Sequence, residues 1–191
     1  LEIQKAMRPG LGESPQKAQL NHTSNHMNIF YLDPDPVEAA RMQCDKHVVK
    51  MVLETAQLLS TAHRVLDGDD VAESKGLYKA THKNHPSAVW VRSSCAAYAW
   101  TRQHFEALLL EYKLRYGRVH ACDRLCRELN HEPQNIPQLY FDPPPQCMPD
   151  QYKSDCAVTS YRAYYGGEKR SFAKWSRGNC PSWFNPKQPN P

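Results

Sequence analysis

Apolar positions recur at helical spacing over three stretches of the chain, and strict alternation is scarce. Asp33 and Asp35 bracket Pro34, and Pro36 suits the first turn of a helix. The apolar pattern extends that helix to about Leu66, where Asp67-Gly68-Asp69-Asp70 stops it. A second helix is predicted after Asn84-His85-Pro86, running through Trp90, Tyr98, Trp100, Phe105, Leu109 and Tyr112 to Gly117, a residue suited to the left-handed position after a helix. A third starts near Ser154 or Asp155 and carries Ala157, Val158, Tyr161, Tyr164 and Tyr165, with Gly166-Gly167 as a break before Lys169 to Trp175. Cys122 to Asn130 reads as a short helix, and the proline-rich stretch Glu132 to Pro149 as a long loop. The only β-like run is Asn28 to Leu32, and no internal repeat is present. The expectation is an all-α fold: one compact domain of about three main helices with long loops.

The margins differ from this middle. Residues 1–26 hold Pro, Gly, Gln, Asn and Ser without a sustained apolar period, as expected of a disordered leader, a cloning remnant or an over-extended reading frame, with Met27 as a natural start. Residues 185–191, NPKQPNP, read as a flexible tail, which leaves 27–184 as the helical domain. A length of 191 residues excludes two large domains. No window approaches the roughly 18 apolar residues of a membrane span, and no signal-peptide pattern opens the chain, so no membrane partner is expected. Seven irregularly spaced cysteines point to free thiols and a cytoplasmic location rather than a disulfide framework. The net charge of +4 is compatible with a polyanionic partner without identifying one.

Candidate chemistry lies on the first predicted helix. At about 100° per residue, Gln43, His47, Lys50, Glu54, Gln57 and Thr61 fall within about 80° of one another. Val48, Val49, Met51, Val52, Leu53, Ala56, Leu58, Leu59 and Ala62 occupy the rest of the circumference, so the stripe should be the one polar window of a buried helix. A plain solvent face is one reading. A solvent face usually repeats Lys and Glu, however, whereas here single His, Lys and Glu residues share one column. The other reading is a titratable trio at a cleft, with Glu54 moving protons and His47 and Lys50 tuning it or gripping an anion.

These residues, in this order, resemble the pyrimidine dimer DNA glycosylase family of the phage endonuclease V type. In that family a short N-terminal segment leads into a long helix bearing a His and, seven residues on, a catalytic Glu, as His47 and Glu54 do. His85 precedes the second helix, Glu111 to Gly117 ends it, and Glu168-Lys169 and Pro181-Ser182-Trp183-Phe184 match the family's last elements. The segments CDKHVVKM, NHPSAVW and MPDQYKSD are also similar to small tailed-phage proteins, in keeping with a bacteriophage origin and a host-cytoplasmic setting.

The resemblance implies a monomer that acts on double-stranded DNA containing a damaged or modified pyrimidine, with no cofactor. A backbone α-amine would attack the sugar C1′, with possible abasic-site lyase chemistry afterwards. An α-amine suits this because its reference pKa of about 7.7–8.0 leaves a neutral fraction at pH 7 that a lysine near about 10.4 does not. Met27 or Asn28 would supply the amine, Glu54 would stabilise the cationic sugar and move protons, and His47 would orient Glu54 or contact the sugar-phosphate. Lys50, Gln57, His85, Lys169, Trp183 and Phe184 would contact DNA, the last three within a surface of Lys169, Arg170, Lys174 and Arg177 interleaved with Phe172 and Trp175. The alternative for that surface is aromatic core under solvated charge.

The pattern also departs from the family. Arginines flank the family's catalytic Glu immediately before and three residues after, where this chain has Leu53 and Gln57. Asn28 is larger than the small second residue that favours methionine removal. Cys44-x-x-His47 and Cys122-x-x-x-Cys126 lack the doubled short spacing of a zinc site, so no metal is expected. A non-catalytic nucleic-acid-binding protein of the same fold, or an enzyme of a modified base or nucleotide, are the competing readings.

Overall fold

The computed structural model describes residues 28–184, so the leader and tail expectations and Met27 lie outside the described residues. Within them the secondary structure is helical: α1 (Pro36–Met42), α2 (Asp45–Asp67), α3 (Asp69–Ser74), α4 (Pro86–Val91), α5 (Cys95–Tyr116), α6 (Cys126–Leu129) and α7 (Ala157–Glu168), with 3-10 turns at Ala121–Leu125 and Asp150–Tyr152. The all-α expectation holds.

The first two predicted helices are each broken in two. Gln43 and Cys44 are extended, and tertiary partners take up the hydrogen bonds that the helix gives up there. The Gln43 carbonyl accepts from Arg115, its side-chain amide meets the ring of His104 at 3.1 Å, and the Cys44 N–H donates to the Tyr165 hydroxyl. This break lets α1 and α2 both pack on α5. The second break falls at Arg92–Ser94. Ser94 caps α5 by accepting the Ala97 N–H, and the Cys95 N–H is donated to Pro137 in the loop.

Three further differences concern chain ends of elements. Gly68 ends α2 at φ 95°, but the chain re-enters a helix at once, because Arg64 on α2 grips Asp69 and Glu73 of α3. Helix α7 continues through Gly166-Gly167, and residues 169–175 form turns instead of helix. Gly167 is required by close approach: a Cβ there would stand 2.5 Å from the Tyr152 hydroxyl. Asn28 to Leu32 form no strand but a buried extended segment, with Phe30 in the left-handed region at φ 54°. The Asn28 side-chain oxygen accepts both the Ile29 and Phe30 N–H groups, which satisfies the buried backbone that a sheet partner would otherwise serve.

The core runs from this segment through Val48, Met51, Val52, Leu59, Tyr98, Phe105, Leu108 and Leu129 to Tyr161 and Tyr165. The proline-rich loop does not wander. Trp90 donates its indole N–H to the Asp142 carbonyl, and Tyr161 donates its hydroxyl proton to the Pro145 carbonyl. Among the described residues no helix is long and apolar enough to cross a membrane. All seven cysteines are free thiols.

Candidate active site

A cleft of about 940 Å³ opens where the Asn28 segment, the first half of α2, the start of α4, the Pro145–Pro149 strap and the end of α7 converge. It is lined by Asn28, His47, Lys50, Glu54, His85 and Lys169, six of the nine residues expected to act. Helix α2 supplies Lys46, His47, Lys50 and Glu54 at three- and four-residue steps, so the four share the face turned to the cleft.

Glu54 is largely sheltered, its side chain 13% exposed. Lys50, one turn earlier, places its ammonium 3.1 Å from Oε1, and the backbone N–H of Asn28 acts on the carboxylate from the start of the described chain. Oε2 is buried and finds no partner among the described residues. Burial raises the Glu54 pKa above the ordinary carboxylate value, and Lys50 and the Asn28 N–H act against that rise.

His47 lies two turns before Glu54 on the same helix. It is 6% exposed and lies in a box of aromatic rings. Phe30 stacks on it at 4.5 Å and 19°, while Tyr165 and Phe172 meet it edge-on. Burial, reinforced by the ammoniums of Lys169, Lys50 and Lys46, pushes its pKa down to about 3, so the ring is neutral at pH 7 and grips no anion by charge. Its Nδ1 has no partner among the described residues. The same ammoniums mark a cationic wall. Lys46 lies over the ring of Phe172, and Lys169 lies over Tyr164 and Phe30.

His85 caps α4, its Nδ1 accepting the Ser87 N–H, and burial lowers its pKa. The Asn28 amide donates to the Cys147 carbonyl, which ties the strap to the same residue whose backbone meets Glu54.

The other three expected residues do not line the cleft. Gln57 lies half-buried on α2, about one turn beyond Glu54. Phe184 is buried against Trp175 at 4.7 Å, and Trp183 packs on Met42 and edge-on to Tyr165. Their rings serve the core, with Arg162 over Trp183 and Arg170 over Phe184. Gln43 and Thr61, the ends of the predicted stripe, are likewise buried, and Gln43 is not on α2 at all.

Spacing arguments passed over Phe30, Tyr164 and Cys147 as site residues, and all three line the cleft together with Phe172 of the expected DNA surface. Lys46 was detectable as the neighbour of His47. The left-handed turn that places Phe30 on His47 carries no sequence signal, since glycine and asparagine are the residues that favour that region. Among the described residues no cluster of three or more His, Cys, Asp or Glu side chains comes together to hold a metal.

The family described as pyrimidine dimer DNA glycosylase matches residues 27–124, just over half the chain. The match covers the Asn28 segment and α1 to α5, which bring Asn28, His47, Lys50, Glu54 and His85 to the cleft, and stops before the strap and α7. Comparison with curated proteins and with solved structures gives no match. With the helical fold and the shared segment on either side of Glu54, the chain belongs to the pyrimidine dimer DNA glycosylase family.

Proposed function

We propose that the protein excises damaged or modified pyrimidines from duplex DNA through the α-amine of Asn28, with Glu54 as its carboxylate partner. The observation that carries this reading is that Asn28 and Glu54 line the same lysine-walled cleft, with the Asn28 backbone N–H near enough to lower the Glu54 pKa. In a chain that begins at Asn28, that nitrogen is a free amine already beside the carboxylate. Its lone pair attacks C1′ of the damaged nucleotide while the bond from C1′ to the base breaks, and the base leaves with the electron pair and takes up a proton. The ionised Glu54 stabilises the positive charge that develops on the sugar. It then accepts the proton shed by the attacking amine and returns one to the ring oxygen as the C1′–O4′ bond opens to an imine.

Abasic-site lyase activity follows from the same adduct. Loss of a C2′ proton expels the 3′ phosphate, and water then hydrolyses the imine to free the amine. The raised pKa of Glu54 suits it to a group that both holds and releases protons near neutral pH. Lys46, Lys50 and Lys169 serve the phosphates flanking the lesion. His47 is a positioning residue that fixes Phe30, two residues from the reacting nitrogen.

The test compares protein beginning at Asn28 with protein that retains residues 1–27, each incubated with UV-irradiated duplex and sodium borohydride. A covalent protein–DNA adduct with the Asn28 form, lost in Glu54→Gln with duplex affinity kept, is expected. An equal adduct from both forms would place the nucleophile elsewhere. Binding without adduct or base release from either form would make this a binding protein of the same fold.

A further inference from the structure

We infer that the tip of the proline-rich loop, Leu139-Tyr140-Phe141, is an apolar wedge that enters the base stack of the DNA held in the cleft. This rests on the reading of the cleft as a duplex-binding site. Tyr140 is 96% exposed and Leu139 60% exposed, whereas no other Phe, Tyr or Trp among the described residues exceeds 38%. A side chain so bare contributes nothing to the core.

Its backbone is nevertheless fixed. The Cys95 N–H donates to Pro137, the Cys95 thiol lies 3.5 Å from the Leu139 carbonyl, and Trp90 holds the Asp142 carbonyl at 2.9 Å. Phe141 packs edge-on against Trp90 and beside Tyr31. Pro137 before the tip and Pro143, Pro144 and Pro145 after it restrict the chain further. A rigid, bare aromatic loses little conformational freedom when it inserts between bases.

Position and the lysine wall of the neighbouring cleft favour DNA as the occupant. The tip leads into the strap that walls the cleft, with four residues between Tyr140 and Pro145. At about 3.3–3.6 Å per residue the tip therefore lies within about 18 Å of that wall, a span of about five base-pair steps. Residues 133–141 carry no charge, with Glu132 and Asp142 on either side. The backbone of α4, on which the tip leans through Trp90, continues to Arg92, whose guanidinium binds the Lys83 carbonyl. A damaged nucleotide must leave the stack to be attacked, and an inserted ring takes the vacated stacking contacts.

The experiment uses a thymine-dimer duplex with 2-aminopurine beside the lesion, whose fluorescence rises when it unstacks, and protein in the non-excising Glu54→Gln background. A rise with Tyr140 present, at least about threefold smaller with Tyr140→Ala and restored with Tyr140→Phe, is expected. An undiminished rise in Tyr140→Ala, or duplex binding with no rise in any variant, would overturn the wedge. Sedimentation of the same proteins gives the competing outcome: self-association abolished by Tyr140→Ala would make the tip a protein contact. Because the signal needs no catalysis, a wedge can be seen, or excluded, even where the adduct test with borohydride fails.

Discussion

Glu54 and His47 sit two turns apart on one helix, and their surroundings drive them in opposite directions. Burial favours the neutral form of both, which raises the carboxylate pKa and lowers the imidazole pKa to about 3. The nearby ammoniums then separate them: Lys50 restores part of the ionised character of Glu54 and further disfavours a charged His47. Excision that needs ionised Glu54 falls away as pH drops through its pKa. Removing the Lys50 charge takes away a term that lowers that pKa, so in Lys50→Met the acid limb of the pH–rate profile should move to higher pH. Single-turnover rates between pH 4 and 8 test this, and an unmoved limb would show that another group sets it. The rate at the plateau should also fall, since the same lysine lines the cleft.

At the scale of elements, the hinge between α1 and α2 decides where Glu54 stands. Arg115, buried on α5, donates to the Arg41 and Gln43 carbonyls, to Asp45 and to Glu111, and so binds both sides of the break. Lysine keeps the charge but lacks the planar fork that reaches these acceptors together. Arg115→Lys should therefore cost about 2–4 kcal/mol, read as a lower urea midpoint at unchanged slope. The neighbouring bonds explain why so large an effect falls on one residue. Asp45 also accepts the Ser176 N–H and hydroxyl, and its own N–H goes to the Lys174 carbonyl, so the hinge anchors the segment that follows α7.

Across the whole molecule, His47, His63 and His104 are all buried, with pKa values lowered to about 3, 4 and 4. In the unfolded chain each titrates near about 6.5, so below that pH the unfolded state binds more protons. The stability they allow is complete above about 6.5 and is lost as pH falls toward 4. At pH 4.5 His47 alone accounts for about 3 kcal/mol of that loss. Urea midpoints at pH 7.5, 6 and 4.5 should fall steadily, and His47→Phe should flatten the decline. An equal decline in that variant would place the acid sensitivity in the carboxylates.

The sequence by itself determined the helical class, the position of most elements and the alignment of His47, Lys50 and Glu54. These follow from local rules: a period of about 3.6 residues, proline at helix starts, glycine at Gly117 and the clustering of prolines in one loop. Ser94 shows that a local signal can also be passed over, since its capping side chain marks the second helix break. Tertiary structure decided the rest because non-local partners overrode those rules. The hinge at Gln43 and Cys44 exists because Arg115, His104 and Tyr165 supply hydrogen bonds from elsewhere in the chain. Helix α7 continues through both glycines, and the Tyr152 ring occupies the space that a Cβ on Gly167 would take. His47 is neutral because Phe30, Tyr165 and Phe172, distant in sequence, remove it from water. Trp183 and Phe184 pack inward because Met42, Tyr165 and Trp175 offer them apolar surface, which no spacing along the chain encodes.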